Sequence, residues 1–69
     1  MQMQYDSEAD AAYLYLQHPI AAGSVKKTTE LNDDVSIDFD AKGKLLGIEI
    51  LHASKRLPKK ELANAKLLN

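Results

Sequence analysis

Three carboxylates in the middle of the chain have the spacing of a calcium-binding loop. Asp38, Asp40 and Glu49 fall at positions 1, 3 and 12 of the EF-hand pattern, and Gly43 occupies its glycine position. Carboxylate oxygens are the ligands that Ca²⁺ prefers, so these three acids are the metal candidates of the sequence. Lys42 contradicts the pattern, because it places an ammonium group where the loop needs an oxygen ligand.

A β-hairpin explains the same run without a metal. Apolar residues alternate on both sides of the turn signal Asp40-Ala41-Lys42-Gly43, in the sets Val35, Ile37, Phe39 and Leu46, Ile48, Ile50. Both sets can share a buried face only if an even number of residues connects them, so we expect a two- or four-residue connection. The hairpin is the preferred interpretation, and these six residues are the predicted core. Asp38 and Glu49 then project from the opposite face, which a helix is expected to cover in part.

Carboxylates that converge on one pocket could act as a general acid and a general base. The candidates are Asp6, Asp10, Asp34, Asp38, Asp40 and Glu49. Small domains also place acids on exposed strands and turns for solubility, and spacing in a sequence does not show convergence in space. A small hydrolase or nuclease, with or without a divalent ion, is therefore an alternative function.

The histidines and one serine give a weaker catalytic signal. His52 and Ser54 share a face if strand geometry extends that far. His18 and His52, with Lys55 or Arg56 to bind phosphate, would resemble the groups of a ribonuclease. However, no glycine-flanked elbow surrounds a serine, and lone histidines are commonly surface residues. We therefore assign no catalytic residue. Because phosphate-binding and dinucleotide-binding glycine loops are missing from the sequence, we expect no cofactor.

Charge is divided unevenly along the chain. Residues 1–52 carry four lysines against nine acids, a net charge of −5, whereas residues 53–69 carry five basic groups against Glu61, a net charge of +4. The basic groups of this second segment are Lys55, Arg56, Lys59, Lys60 and Lys66. Clustered cations can neutralise phosphates, so nucleic-acid binding is a second alternative, although such a segment more often lies beside acidic protein surface.

The chain is short enough that its stability needs support. We treat its 69 residues as one domain, and a domain of this size buries only about 60% of the surface of its unfolded form. Cysteine is absent, which excludes disulfides and thiolate zinc sites. Self-association as a homodimer, or binding to a small protein partner, is the expected source of support. The start Met1-Gln2-Met3-Gln4 lacks the features of a signal peptide and long apolar runs are missing, so we expect no membrane contact and a cytoplasmic protein.

The remaining segments complete an α+β prediction. Alternation predicts strands over residues 2–5 and 11–17, and the lysines and threonines of residues 24–31 are typical of an edge strand. Pro58 suits the first position of a C-terminal helix over residues 58–69, whose Leu62, Ala65 and Leu68 would pack with Leu57 on the sheet. The predicted fold is a small antiparallel sheet of four to five strands, a meander of hairpins, with one C-terminal helix.

Two separated segments resemble a known family. They are Tyr5-Asp6-Ser7-Glu8-Ala9-Asp10-Ala11-Ala12-Tyr13-Leu14 and the run from Val35 through Gly43 and Gly47-Ile48-Glu49-Ile50-Leu51 to Ala53-Ser54. In combination they resemble domain of unknown function 2283, a family of small prokaryotic proteins, over residues 3–57. Family members commonly carry Asp or Asn before the Ala-Ser pair, where this chain has His52. A histidine-based mechanism is therefore not expected as a family property.

The resemblance implies no activity, cofactor or catalytic residue. Members are often encoded beside proteins that look like toxin-type ribonucleases, which implies an antitoxin-like or accessory binding role. Our leading hypothesis is a non-catalytic protein–protein interaction module, because the predicted edge strand offers backbone groups for pairing. The acid-based hydrolase or nuclease and the nucleic-acid binder are the alternatives.

Overall fold

A mixed β-sheet forms the body of the protein and carries two short helices on one face. The computed structural model describes residues 2–67. The elements are β1 (Gln2–Asp6), β2 (Ala11–Tyr15), β3 (Lys27–Glu30), β4 (Val35–Phe39), β5 (Leu45–Leu51), α1 (Ala53–Arg56), α2 (Lys59–Ala63) and β6 (Lys66–Leu67).

The six strands lie in the order β3-β4-β5-β2-β1-β6. Neighbouring strands are antiparallel except β1 and β6, which run parallel. The α+β prediction is confirmed. The expectation of four to five strands, all antiparallel, is wrong, because the sheet has a sixth strand, β6, which runs parallel to β1. The predicted edge strand is confirmed in position, because β3 forms one end of the sheet.

The connection between β2 and β3 determines the strand order. Residues 16–26 cross from the strand beside β5 to the far edge of the sheet, beyond β4. The backbone N–H groups of Leu16 and Gln17 both donate to the carbonyl oxygen of Leu46, at 2.9 and 3.1 Å. The first hairpin, β1–β2, is thereby joined to the meander β3–β4–β5 through the pairing of β2 with β5.

The central hairpin has the predicted faces but a different connection. Val35 lies opposite Ile50 and Ile37 opposite Ile48, so the two apolar sets share a face. The amide of Asp40 donates to the Lys44 carbonyl at 2.9 Å, which leaves three residues, 41–43, between them. Our expectation of a two- or four-residue connection is therefore wrong. An irregularity between Asp38 and Phe39 shifts the register by one residue and restores the shared face.

The hydrophobic core occupies only part of the apolar face. Ala12, Ile50 and Ala53 are buried together, and Met3, Tyr5, Ile48, Leu57 and Leu62 pack against them. We call this region, over β1, β2 and β5, the covered half, because α1 and α2 lie on it. Val35, Ile37 and Phe39 share the same face but are only half-buried and lie outside this cluster. We call their region, over β4 and β3, the open half.

The predicted core is thus correct in part. Leu46 and Ile50 are buried, with exposures of 1% and 9%, whereas Val35, Ile37 and Phe39 are not. The physical reason is the position of the helices, which pack on β1, β2 and β5 and leave β4 uncovered. For the same reason, the helices do not cover the face that carries Asp38 and Glu49, contrary to our expectation.

The C-terminal segment differs most from the prediction. Instead of one helix over residues 58–69, the chain forms α1, then α2, then the short strand β6 beside β1. Pro58 separates α1 from α2, since it cannot donate a helical hydrogen bond and disfavours helix at the preceding residue. The helix that follows Pro58 ends at Ala63, with Asn64 as its C-cap. Leu57 and Leu62 do pack on the core as predicted, while Leu68 lies outside the described residues. Within residues 2–67 the structure contains no helix of the length and apolarity needed to cross a membrane.

Candidate functional site

Tyr13 spans the polar face of the sheet and links three strands. From β2 it reaches across β5, and its hydroxyl donates to Oδ2 of Asp38 on β4 at 2.6 Å. Thr28 on β3 donates to Oδ1 of the same carboxylate at 2.6 Å. Burial and the hydrogen bond to Asp38 raise the pKa of Tyr13. Asp38 therefore acts as a fixed acceptor that holds β2, β3 and β4 in position.

Gly47 makes this arrangement possible. It lies on β5 beneath the Tyr13 ring, and a methyl group added at Gly47 would overlap ring atoms and the hydroxyl of Tyr13. An aromatic ring that covers a strand glycine compensates for the side chain the glycine lacks. The glycine of the motif Gly47-Ile48-Glu49 is thus explained by packing.

The three metal candidates have separate structural surroundings. Asp38 accepts from Tyr13 and Thr28, as described above. Asp40 closes its own turn by accepting from the amides of Lys42 and Lys44 at 2.8 and 2.9 Å. These backbone hydrogen bonds, first that of Lys44, lower the pKa of Asp40. Glu49 is exposed on the same face as Asp38. Among residues 2–67, no group of three or more His, Cys, Asp or Glu side chains is placed to hold a metal ion.

Asp10 holds the start of α1 against the first hairpin. It accepts from the Tyr5 hydroxyl at 2.7 Å, from the Ser54 amide at 3.0 Å and from the Ser54 hydroxyl at 2.7 Å. Its backbone carbonyl also accepts from the amide of Ala53 at 2.9 Å. The hydrogen bonds from Tyr5 and then Ser54 lower the pKa of Asp10. The sequence motifs around Asp10 and Ala53-Ser54 are therefore two sides of one contact.

Asp34 forms a second contact with the same helix. Its Oδ1 lies 3.0 Å from Nδ1 of His52, and its Oδ2 accepts from Nε and Nη2 of Arg56 at 3.0 and 2.9 Å. The hydrogen bonds from His52 and then Arg56 lower the pKa of the Asp34 carboxyl. His52 has a φ of 53°, in the left-handed region that His, Asp and Asn adopt more readily than most residues.

The weak catalytic arrangements do not assemble. The Ser54 hydroxyl donates to Asp10, and His52 contacts Asp34. His18 lies elsewhere, with its ring edge-on to Tyr15 at a centroid distance of 4.8 Å. Of the six candidate acids, Asp34 and Glu49 line the cavity of about 220 Å³ beside the β3–β4 turn, together with Glu30 and Asp33. The Asp34 carboxylate in this cavity accepts a hydrogen bond from Arg56 and contacts His52, and the other four candidates lie outside the cavity. The hydrolase hypothesis stays a prediction.

The predicted nucleic-acid residues are distributed over three elements. Lys55 and Arg56 lie on α1, Lys59 and Lys60 on α2, and Lys66 on β6, and all five are exposed. Arg56 is engaged by Asp34. Nucleic-acid binding by these residues stays a prediction, and its signature would be a steep loss of affinity with added salt.

The leading hypothesis of the sequence depends on the outer edge of β3. Within residues 2–67, β3 pairs with β4 alone, and its other side faces away from the sheet. The amide of Leu31 donates to the carbonyl of Val35 at 2.8 Å, which identifies the inward-facing positions. Since hydrogen-bonded and non-hydrogen-bonded positions alternate in antiparallel sheets, the backbone groups of Thr28 and Glu30 point outward.

Charge is polarised along this edge. Lys27 is the first residue of β3, and Lys26 comes directly before it. Both lie at the end of the sheet where the central hairpin turn carries Lys42 and Lys44. Glu30 ends β3 at the opposite end, next to the turn of residues 31–34 that contains two further acids, Asp33 and Asp34. All four lysines of residues 1–52 therefore lie at one end of the sheet, although they are far apart in the sequence.

Comparisons with known proteins agree with the sequence resemblance. The model of the family described as "Protein of unknown function (DUF2283)" matches residues 2–54. This chain belongs to that family. A curated relative, "Uncharacterized protein MJ0789" of Methanocaldococcus jannaschii, is 44% identical over 55 residues, which cover 80% of this chain and 43% of the relative. The chain thus spans less than half of that relative's length. No solved structure matches the chain.

The family motifs now have a structural explanation. Asp10 and Ser54 lie inside the matched region and form the contact that fixes α1. Gly47 accommodates Tyr13, also within the match. These residues therefore maintain the fold.

Proposed function

We propose that this protein is a non-catalytic protein–protein interaction module that binds by accepting an extended strand from another chain along the outer edge of β3. The single observation that carries the proposal is the outward direction of the Thr28 and Glu30 backbone groups. Unpaired edge groups are a template for pairing with a further strand, and such pairing provides backbone hydrogen bonds. An antitoxin-like or accessory subunit would be one instance of such a module.

The open half supports the proposal as a second, apolar contact. Val35, Ile37 and Phe39 are half-buried beside β3, and Leu31 at the end of the edge is 61% exposed. A strand added to β3 would extend this face and bring its own apolar side chains next to Leu31. Binding would thus supply burial that a chain of 69 residues lacks by itself.

The chemistry of the acidic residues supports a binding role over a catalytic one. Asp10 and Asp34 hold α1, Asp38 holds Tyr13 and Thr28, and Asp40 closes a turn. Each of these carboxylates already accepts hydrogen bonds from neighbouring groups in the fold. General acid–base chemistry needs a group that is free to exchange a proton with a substrate.

A substitution that removes one outward donor tests the proposal. Glu30→Pro deletes the outward N–H of Glu30 while leaving the bonds from β3 to β4 intact, since proline is tolerated on edge strands where its nitrogen faces solvent. Glu30→Ala is the matched control, because it removes the same side chain and keeps the N–H. Assembly is measured by sedimentation of the purified protein at micromolar concentration and by co-purification with its native neighbours.

We expect Glu30→Pro to lose an assembly that Glu30→Ala retains, with both variants folded by circular dichroism. Assembly that survives Glu30→Pro unchanged would overturn the role of the edge. A protein that is strictly monomeric and recovers no partner sensitive to Glu30→Pro would overturn the proposal as a whole.

A further inference from the structure

We infer that the strand accepted by β3 is β3 of a second copy of this chain, running antiparallel, with Thr29 facing Thr29 of the partner subunit on a twofold axis. The inference rests on the proposed function, since it names the partner of the same edge. It follows from the direction of the backbone groups, from the faces of the side chains and from the charges at the two ends of the strand.

The outward groups allow three registers, and one of them, with Glu30 on the axis, is excluded because it sets like charges opposite each other and needs the Asn32 amide, which donates to the Val35 carbonyl at 3.4 Å. Two registers remain. Thr28 and Glu30 carry the outward groups, so hydrogen-bonded pairs across the new edge form between these positions. In one register Thr28 faces Glu30 of the partner subunit, and Thr29 lies on the axis. In the other, Thr28 lies on the axis, and Lys26 faces Glu30 of the partner subunit. Both registers keep the apolar faces of the two copies on the same side, because opposite residues share a face.

The bonding of Lys26 selects the first register. Its amide already donates to the carbonyl of Phe39 at 2.9 Å, so this donor points into its own sheet. The register centred on Thr28 would need the same N–H to point outward, so that Lys26 could pair with Glu30 of the partner subunit. The register centred on Thr29 uses only outward groups, since each Thr28 exchanges both backbone bonds with Glu30 of the partner subunit.

Side chains agree with the register centred on Thr29. Lys27 comes opposite Leu31 of the partner subunit, so its methylene stem can cover a side chain that is 61% exposed. Lys26 comes opposite Asn32 of the partner subunit, next to the acidic turn. The basic end of each β3 therefore meets the acidic end of the other. Neither helix obstructs the approach, because α1 and α2 pack on the covered half, away from β3.

Cysteine crosslinking can read this register directly, because the chain contains no cysteine. Residues that face each other in a non-hydrogen-bonded antiparallel pair have Cα atoms about 4.5 Å apart, within the range a disulfide spans. Thr29→Cys should therefore give a covalent dimer as the major species under mild oxidation, seen on a non-reducing gel. Leu31→Cys alone should not, because its two copies would lie roughly 14 Å apart along the strand.

A mixture of two single variants provides an independent readout. Lys27→Cys and Leu31→Cys should each remain uncrosslinked alone and should form a mixed covalent dimer when combined. Thr28→Cys tests the competing register, in which Thr28 would face its own copy. Circular dichroism verifies that each variant is folded before oxidation.

The outcomes separate this inference from the proposed function. Crosslinking of Thr29→Cys together with the mixed dimer supports it. A dimer that crosslinks through Thr28→Cys, or through neither position, overturns the inference while the edge can still be the contact. A chain that stays monomeric also overturns the inference. The proposed function is then tested by whether Glu30→Pro abolishes co-purification of a different protein that the parent chain binds.

Discussion

The covered half and the open half of the apolar face are made from similar residues but differ in how deeply those residues are buried. Ile50 in the covered half is 9% exposed and packs with Ala12 and with Ala53, the first residue of α1. Ile37, two strands away from β2 on the same face, is only half-buried and has no helix above it. The hydrophobic pattern alone does not distinguish the two halves. The difference teaches that helix docking, fixed by Asp10 and Asp34, decides which part of the face is buried core and which part stays half-buried.

The largest expected effect is a difference in the free energy of unfolding between matched isoleucine-to-alanine substitutions in the two halves. Ile50→Ala should lower the free energy of unfolding by about 3 kcal/mol, because it empties a buried site. Ile37→Ala should cost about 1 kcal/mol in the monomer, because that side chain is still partly hydrated. Urea denaturation of both variants at low protein concentration measures the difference. Equal losses would show that the open half is core after all.

A somewhat smaller effect is expected on the polar face, where Tyr13 connects the strands of the two halves. Gly47→Ala should destabilise the protein by about 1–2 kcal/mol, because the added methyl group displaces the Tyr13 ring from Asp38. The control is the same change in a Tyr13→Ala background, where the ring is gone. There the further cost should largely disappear, and a cost that is unchanged would refute the steric explanation.

As the pH falls, the covered half should lose stability before the open half. The folded pKa of Asp10 is lowered by the hydrogen bonds from Tyr5 and Ser54, and that of Asp34 by His52 and Arg56. Their stabilisation is therefore complete above the ordinary Asp pKa of 3.8 and is lost as the pH falls through the lowered folded values. Stability measured from pH 6 down to acid should fall, and amides of α1 should lose protection first.

Asparagine substitutions provide the control for this pH dependence. Asp10→Asn and Asp34→Asn should be less stable than the parent at neutral pH and should show a flatter decline in acid, since neither amide titrates. If the parent and both variants lose stability in parallel, the two carboxylates do not carry the acid sensitivity.

The smallest expected effect on the monomer concerns the open half itself. Leu31→Ser should change the free energy of unfolding by no more than about 0.5 kcal/mol, because Leu31 is 61% exposed. The same variant should weaken association, as it removes an apolar side chain at the end of the edge. Sedimentation over a range of concentrations checks the second part. Strong destabilisation of the dilute protein would instead assign Leu31 to the monomer core.

Sequence alone determined the local elements. Period-two alternation identified β1, β2, β4 and β5, because strand geometry places alternate side chains on opposite faces. It also identified the shared face of the central hairpin, and the lysines and threonines of residues 24–31 marked the edge strand. The family resemblance was equally readable, since it depends on residue types in order.

Only the tertiary structure decided how these elements combine. Asp10 meets Ser54 at a separation of 44 residues, and Tyr13 lies over Gly47 from a different strand. The split of the C-terminal segment into two short helices and β6 also depends on the sheet, because helices of four and five residues have no stability of their own. Strand order and helix docking arise from non-local hydrogen bonds and packing, which a pattern of residue types does not specify. Within residues 2–67, they alone leave the outer edge of β3 unpaired and the open half uncovered.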